Sequence, residues 1–156
     1  MDPTSHVASV ATVIQLAVAP VFLLAGVGTT LNVLAMRISR IIDRARSMED
    51  KLANASPSDA AELHERLKEL SRRATLINRA IGLCVLCGLL VSLVVAALFV
   101  SASLRIDLAM PIAVAFVVAL LSLAAALLCF LREVFIATAS QTFGGVRKQQ
   151  PAVAKE

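Results

Sequence analysis

The chain has 156 residues, 58% of them hydrophobic, with a mean hydropathy of +0.82 and a formal net charge of +4. A soluble domain of this size cannot bury so much apolar surface, whereas a bilayer can take it up. The charge is also segregated: ten of the fifteen Lys and Arg residues lie between Arg37 and Arg79, and four more follow the last apolar stretch.

Three windows contain no Asp, Glu, Lys or Arg: Pro3–Met36, Ala80–Leu104 and Leu108–Leu131. Each reaches the ~20 residues that a helix needs to cross the hydrocarbon. The expected fold is therefore all-α, an integral membrane domain with spans at about 8–36, 80–104 and 109–133. The first window differs from a signal peptide in lacking a positive start and in its length, and it reads as a retained span. Because Lys and Arg concentrate on the cytoplasmic side of membranes, the middle segment and the C-terminus are expected inside and the short N-terminus outside.

In the first span, Thr12, Gln15, Ala19, Gly26 and Thr30 fall near one helical stripe of small or polar residues, which continues into Arg37, Arg40 and Arg44. Two readings stand. Small residues let helices approach closely and Gln15 finds a hydrogen-bonding partner, or the stripe lines a polar path in an oligomer with arginine rings at its mouth.

Residues 37–79 carry the clearest pattern. Leu34, Ile38, Ile41, Ala45, Met48 and Leu52 recur at heptad spacing, and so do Leu63, Leu67, Leu70, Ala74, Ile77 and Ile81. Such heptads on neighbouring helices predict a coiled-coil seam. The short Asn54–Asp59 connection requires an antiparallel hairpin, with Ser56 as N-cap and Pro57 opening the second helix. The hairpin then extends spans one and two as a stalk reaching roughly 24 Å beyond the membrane. With the seam at positions a and d, Arg37, Arg44, Lys51, Arg66 and Arg73 all occupy g and form one basic flank, for which a neighbouring subunit or anionic lipid is the expected partner. Glu62–Arg66 and Glu65–Lys68 are expected as local pairs.

The second span places Cys84, Gly88, Ser92 and Ala96 at four-residue spacing, and the third places Ala115, Ala119, Ser122, Ala126 and Cys129 on a similar ridge that runs on to Glu133. Both read as close helix-packing faces. A glutamate on such a face at the membrane boundary needs a cation. Arg37, Arg79 and Arg132 are the candidates, which suggests a polar girdle of Asn32, Arg37, Asn78, Arg79, Arg132 and Glu133 joining the three spans. Beyond it the helix ends near Gly144-Gly145, and 144–156 reads as a flexible tail.

The segments HVASVATVIQLAVAPVFLLAGVGTTLNVLAMRISRIIDRAR at 6–46, RRATLINRAI at 72–81 and FLREVF at 130–135 resemble a family of small bacterial inner-membrane proteins catalogued as a domain of unknown function. The resemblance covers nearly the whole chain except the hairpin tip and the tail. It implies a bacterial inner membrane and three spans, and it carries no activity.

Chemistry is sparsely represented. Cys84-x-x-Cys87 lies inside a span with no second pair of ligands, and His6 and His64 fall on other segments, so no metal, cofactor or catalytic set is expected. The stalk's acids nearly balance its bases and it lacks aromatics, which argues against nucleic acid. The expected function is a homo-oligomeric membrane protein, either an ion-conducting or gated pore lined by span one or a scaffold whose hairpin docks a cytoplasmic protein or anionic lipid.

Overall fold

The computed structural model describes the backbone of residues 3–53, 55–104 and 106–144, and the expected tail past Gly144 lies outside the described residues. Three helices account for nearly all of it: α1 (Pro3–Leu52), α2 (Pro57–Leu104) and α3 (Ala109–Gly144). Each contains a stretch long and apolar enough to cross a membrane. Apolar side chains such as Phe22, Leu89, Val117 and Leu128 accordingly stand exposed around the bundle, where lipid rather than water is the matching solvent.

Both long helices run unbroken from an apolar window into a charged one. Pro20 is buried inside α1 without ending it, as neighbouring groups in a span can tolerate. Between α1 and α2 the chain turns tightly. Ser56 Oγ accepts a hydrogen bond from the Asp59 amide at 3.4 Å and donates to the Asp59 carboxylate at 2.7 Å. Pro57 takes the first helical position, where no amide donor is needed. At the other end, the Ala109 amide donates to the Asp107 carboxylate at 3.1 Å and starts α3.

Helix α2 is the spine, because both other helices pack along it. Extending the heptad letters through α2 shows how one helix serves two neighbours. Position d (Leu70, Ile77, Cys84, Val91) and, above Arg73, position g (Ala80, Cys87, Val94) are buried, while a and c positions such as Ile81 and Leu83 are half-buried on either side. Gly88, at a, faces α1, where a Cβ would meet Leu24 and Val27 at 3.8 Å. The buried stripe of α2 is thus Cys84, Cys87, Val91 and Val94. The expected Cys84, Gly88, Ser92 and Ala96 ridge leaves it, for Ser92 and Ala96 are exposed. Four-residue steps drift 40° per step around a 3.6-residue helix, so such a ridge rotates off any fixed contact.

In α3 the heptad ridge does face inward. Ala119, Ser122, Ala126 and Glu133 are buried, with Ala115 and Cys129 half-buried between them. In α1 the inward residues include Val27, Leu34 and Ile41, which share one apolar cluster with Leu70, Ile77 and Ala126. Ala45 and Ile41 line one depression with Leu67, Leu70 and Ala74. The depression has a volume of about 360 Å³.

Hydroxyls within the spans bond their own helix. Thr30, Ser92 and Ser122 donate to the carbonyls of Gly26, Gly88 and Val118 at 2.9–3.0 Å, which satisfies them without a partner helix. Ile77 is fully buried where α1 and α2 meet. Ile77→Ala is expected to lower thermal stability in detergent micelles by roughly 2–5 kcal/mol. Leu128→Ala, on the outer face, should leave the transition within about 0.5 kcal/mol of wild type.

Candidate functional site

The polar centre of the molecule lies where the uncharged windows end. Met36 gives way to Arg37 in α1 and Leu131 to Arg132 and Glu133 in α3, while Arg73 arrives on α2 from the opposite direction. Glu133 is completely inaccessible to solvent, the one acid among the described residues to be so. Its ridge position on α3 points it at α2, between the two long helices.

Two arginines meet it there. Arg37 donates from Nη1 to Oε2 at 2.8 Å. Arg73 donates from Nε at 3.2 Å and Nη2 at 2.8 Å, both to Oε1. Each carboxylate oxygen thus holds a different helix, and one side chain ties α1, α2 and α3 together. Arg37 is further held by the ring of Phe130, 4.9 Å from its guanidinium carbon, a distance at which the ring quadrupole attracts a cation. The Arg73 side chain is 15% exposed and that of Arg37 39%, so Arg73 is the more deeply committed of the two.

The structure selects among the expected girdle residues. Glu133 and Arg37 come together as the depth argument suggested. Arg79 and Arg132 do not join them, and Asn32 and Asn78 are exposed as well. On α2 the arginine that arrives is Arg73, six residues from Arg79 and on a different side of the helix. Arg132 instead lines a second cleft with Glu65, Glu69 and Arg72, on the far side of α3.

Two members of the expected basic flank, Arg37 and Arg73, meet Glu133 of the same chain. The reason lies further along α2, where position g continues as Ala80, Cys87 and Val94. Small apolar residues there seat α3, so the g flank is the face that α3 covers. Of the rest, Arg66 pairs with Glu62 at 2.6 Å, and Arg44 and Lys51 are exposed. Among the described residues, Glu65 and Lys68 form no ion pair, and neither do Arg40 and Asp43.

Beyond Glu133, α3 continues past the last apolar window and lies against the base of the hairpin. A cleft of about 290 Å³ opens there between α1 and α3. Arg37, Arg40, Arg44 and Arg73 line it with Glu133 as the sole acid; Ile41 and Leu70 form an apolar floor, and Val134 and Ala137 a wall. Its lining carries three more positive charges than negative ones.

The stripe on the first span has a different setting. Thr12, Gln15 and Gly26 are exposed and Thr30 is half-buried. A Cβ built on Gly26 or Gly28 meets nothing within 4 Å, so neither glycine is there to admit a helix of its own chain. No group of three or more His, Cys, Asp or Glu residues suited to a metal occurs among the described residues. His64 Nδ1 donates to the Ala60 carbonyl at 2.7 Å near the hairpin tip.

The chain matches the family described as a protein of unknown function, DUF2721, over residues 17–143, a stretch that takes in α1 from Ala17 onward, all of α2, α3 as far as Phe143, both arginines and Glu133. The chain belongs to this family. No curated protein and no solved structure matches it. Membership accords with a membrane protein of three apolar helices and carries no activity of its own.

The signal that could have found Arg73 was the g row itself: charged at 66 and 73, apolar from 80 onward. Removing either arginine leaves part of a buried charge uncompensated. Arg73→Gln is expected to cost about 3–5 kcal/mol of stability. Arg37→Gln should cost only about 1–2 kcal/mol, because solvent screens the more exposed pair. Thermal or denaturant unfolding in micelles measures both, and the order Arg73 above Arg37 is the point checked.

Proposed function

We infer that the protein is a non-enzymatic scaffold of the bacterial inner membrane, with its N-terminus outside and its helical hairpin, an antiparallel coiled coil, in the cytoplasm. The observation that carries this reading is the Glu133 lock. It joins the ends of the spans to the base of the stalk through three helices at once, so a force or partner acting on the stalk moves the spans with it. Neither long helix is broken between its apolar and its charged half. Supporting the orientation is the cluster of basic residues in the segment between spans one and two.

The scaffold is a homo-oligomer in this reading, joined through the outer flank of α1. Gln15 is exposed in the apolar half of α1 and makes no side-chain hydrogen bond among the described residues. An amide facing hydrocarbon favours a partner that supplies one, and a second copy supplies the same group. Gly26 and Gly28 leave open space on the same helix for close approach.

A pore lined by span one is the second reading, and the exposed position of Thr12, Gln15, Arg40 and Arg44 favours it. It is the weaker of the two. Thr30 spends its hydroxyl on Gly26, and Arg37 is committed to Glu133 and Phe130, so two of its lining groups are engaged. A cytoplasmic protein that docks on the free end of the hairpin fits the scaffold equally, with Lys51 and the Glu62–Arg66 pair on the surface offered.

Reconstitution separates the readings. Gln15→Cys is expected to give disulfide-linked dimers on oxidation in vesicles, while bilayers of the same protein stay silent at all voltages. A stable conductance whose ion selectivity reverses with Arg40→Glu would replace the scaffold by the pore.

A further inference from the structure

The cleft under the spans has a charge that the Glu133 lock does not use up. We propose that it binds the phosphate of an anionic phospholipid, with Arg40 and Arg44 as the ligating residues and Arg37 and Arg73 as the preformed rear wall. The proposal rests on the membrane placement of the three helices and not on a scaffold, an oligomer or a pore.

Four arginines converge on one opening of about 290 Å³ with Glu133 as their sole counter-charge. Arg37, Arg40 and Arg44 lie three and four residues apart, so they stack on one side of α1, where like charges repel. Neither Arg40 nor Arg44 has an ion-pair partner among the described residues. A bound anion would relieve that repulsion. Guanidinium groups present several donors in a rigid fork matched to phosphate oxygens. Arg37 spends one of its five N–H donors on Glu133, and Arg73 spends two. Glu133 and Phe130 hold Arg37 in place, so less side-chain freedom remains to be lost when a ligand arrives.

Position and lining choose a lipid over a free anion. Arg37 directly follows the first uncharged window and Glu133 lies two residues past the third, which sets the cleft at headgroup depth. The site is larger than a lone phosphate needs, and Ile41, Leu70, Val134 and Ala137 give it apolar surfaces. A phosphate joined to glycerol and acyl chains matches both halves. Basic pockets between membrane helices recognise phospholipid headgroups by this combination.

The test uses the full-length protein in zwitterionic micelles titrated with short-chain phosphatidylglycerol or phosphatidylcholine, with retained lipid read by native mass spectrometry. Wild type is expected to retain phosphatidylglycerol selectively. The double variant Arg40→Gln/Arg44→Gln should bind it at least about tenfold more weakly, the scale of two lost charge-assisted hydrogen bonds. Its thermal transition should match that of wild type, because both side chains are exposed and outside the lock. Arg46→Gln/Arg79→Gln removes the same charge from exposed positions outside the cleft and should change binding less than about threefold. Equal loss in both double variants would overturn the site in favour of diffuse attraction. Displacement of phosphatidylglycerol by equimolar inorganic phosphate would overturn the lipid as its source. Undiminished selectivity in Arg40→Gln/Arg44→Gln would overturn the proposal outright.

Discussion

A carboxylate taken wholly out of water has to be met by cations and donors close enough to replace its hydration, or its burial costs more than a small helical bundle can offset. Glu133 meets that condition with an arginine from each of the other two helices, one on each oxygen. The rest of the structure follows this arrangement. It fixes the one buried acid of α3 against both long helices, with the window ends of α1 and α3 beside Arg73, seven residues before the α2 window begins. Apolar ridges alone would leave α3 free to slide along α2, since alanine and serine contacts repeat every turn. An ion pair with two fixed partners has one register.

Much of this was legible in the sequence. Heptads at Leu34–Leu52 and Leu63–Ile81 identify the faces that meet in the hairpin, because burial on a helix has a period that residue type reveals. The ridge from Ala115 to Glu133 identifies the inward face of α3, and an acid at its end signals a buried pair. What was not legible was the identity of the second arginine. Arg79 and Arg132 lie nearer the window boundaries than Arg73, and depth along the sequence favours them. The choice depends instead on angle. Arg73 shares its face of α2 with Ala80, Cys87 and Val94, and only the position of α3 shows that this face is the covered one.

The second span departs from its small-residue pattern for a related reason. A stripe of small residues at four-residue spacing indicates close packing when a helix has one neighbour and crosses it at an angle. Helix α2 has two neighbours running nearly its full length, so what it buries is a straight heptad stripe shared between them. Ser92 and Ala96 rotate away from both. The glycines of α1 likewise stand outside the contacts of the single chain, with open space around Gly26 and Gly28.

The central claim is that Glu133 and Arg73 stabilise the fold as a pair rather than as two separately placed side chains. A double-mutant cycle of Glu133→Gln and Arg73→Gln, followed by reversible unfolding in micelles, measures this most directly. The account predicts a coupling energy of roughly 2 kcal/mol or more, with the double variant more stable than the sum of single losses implies. Additivity within about 0.5 kcal/mol would contradict it and leave α3 held by its apolar ridge alone.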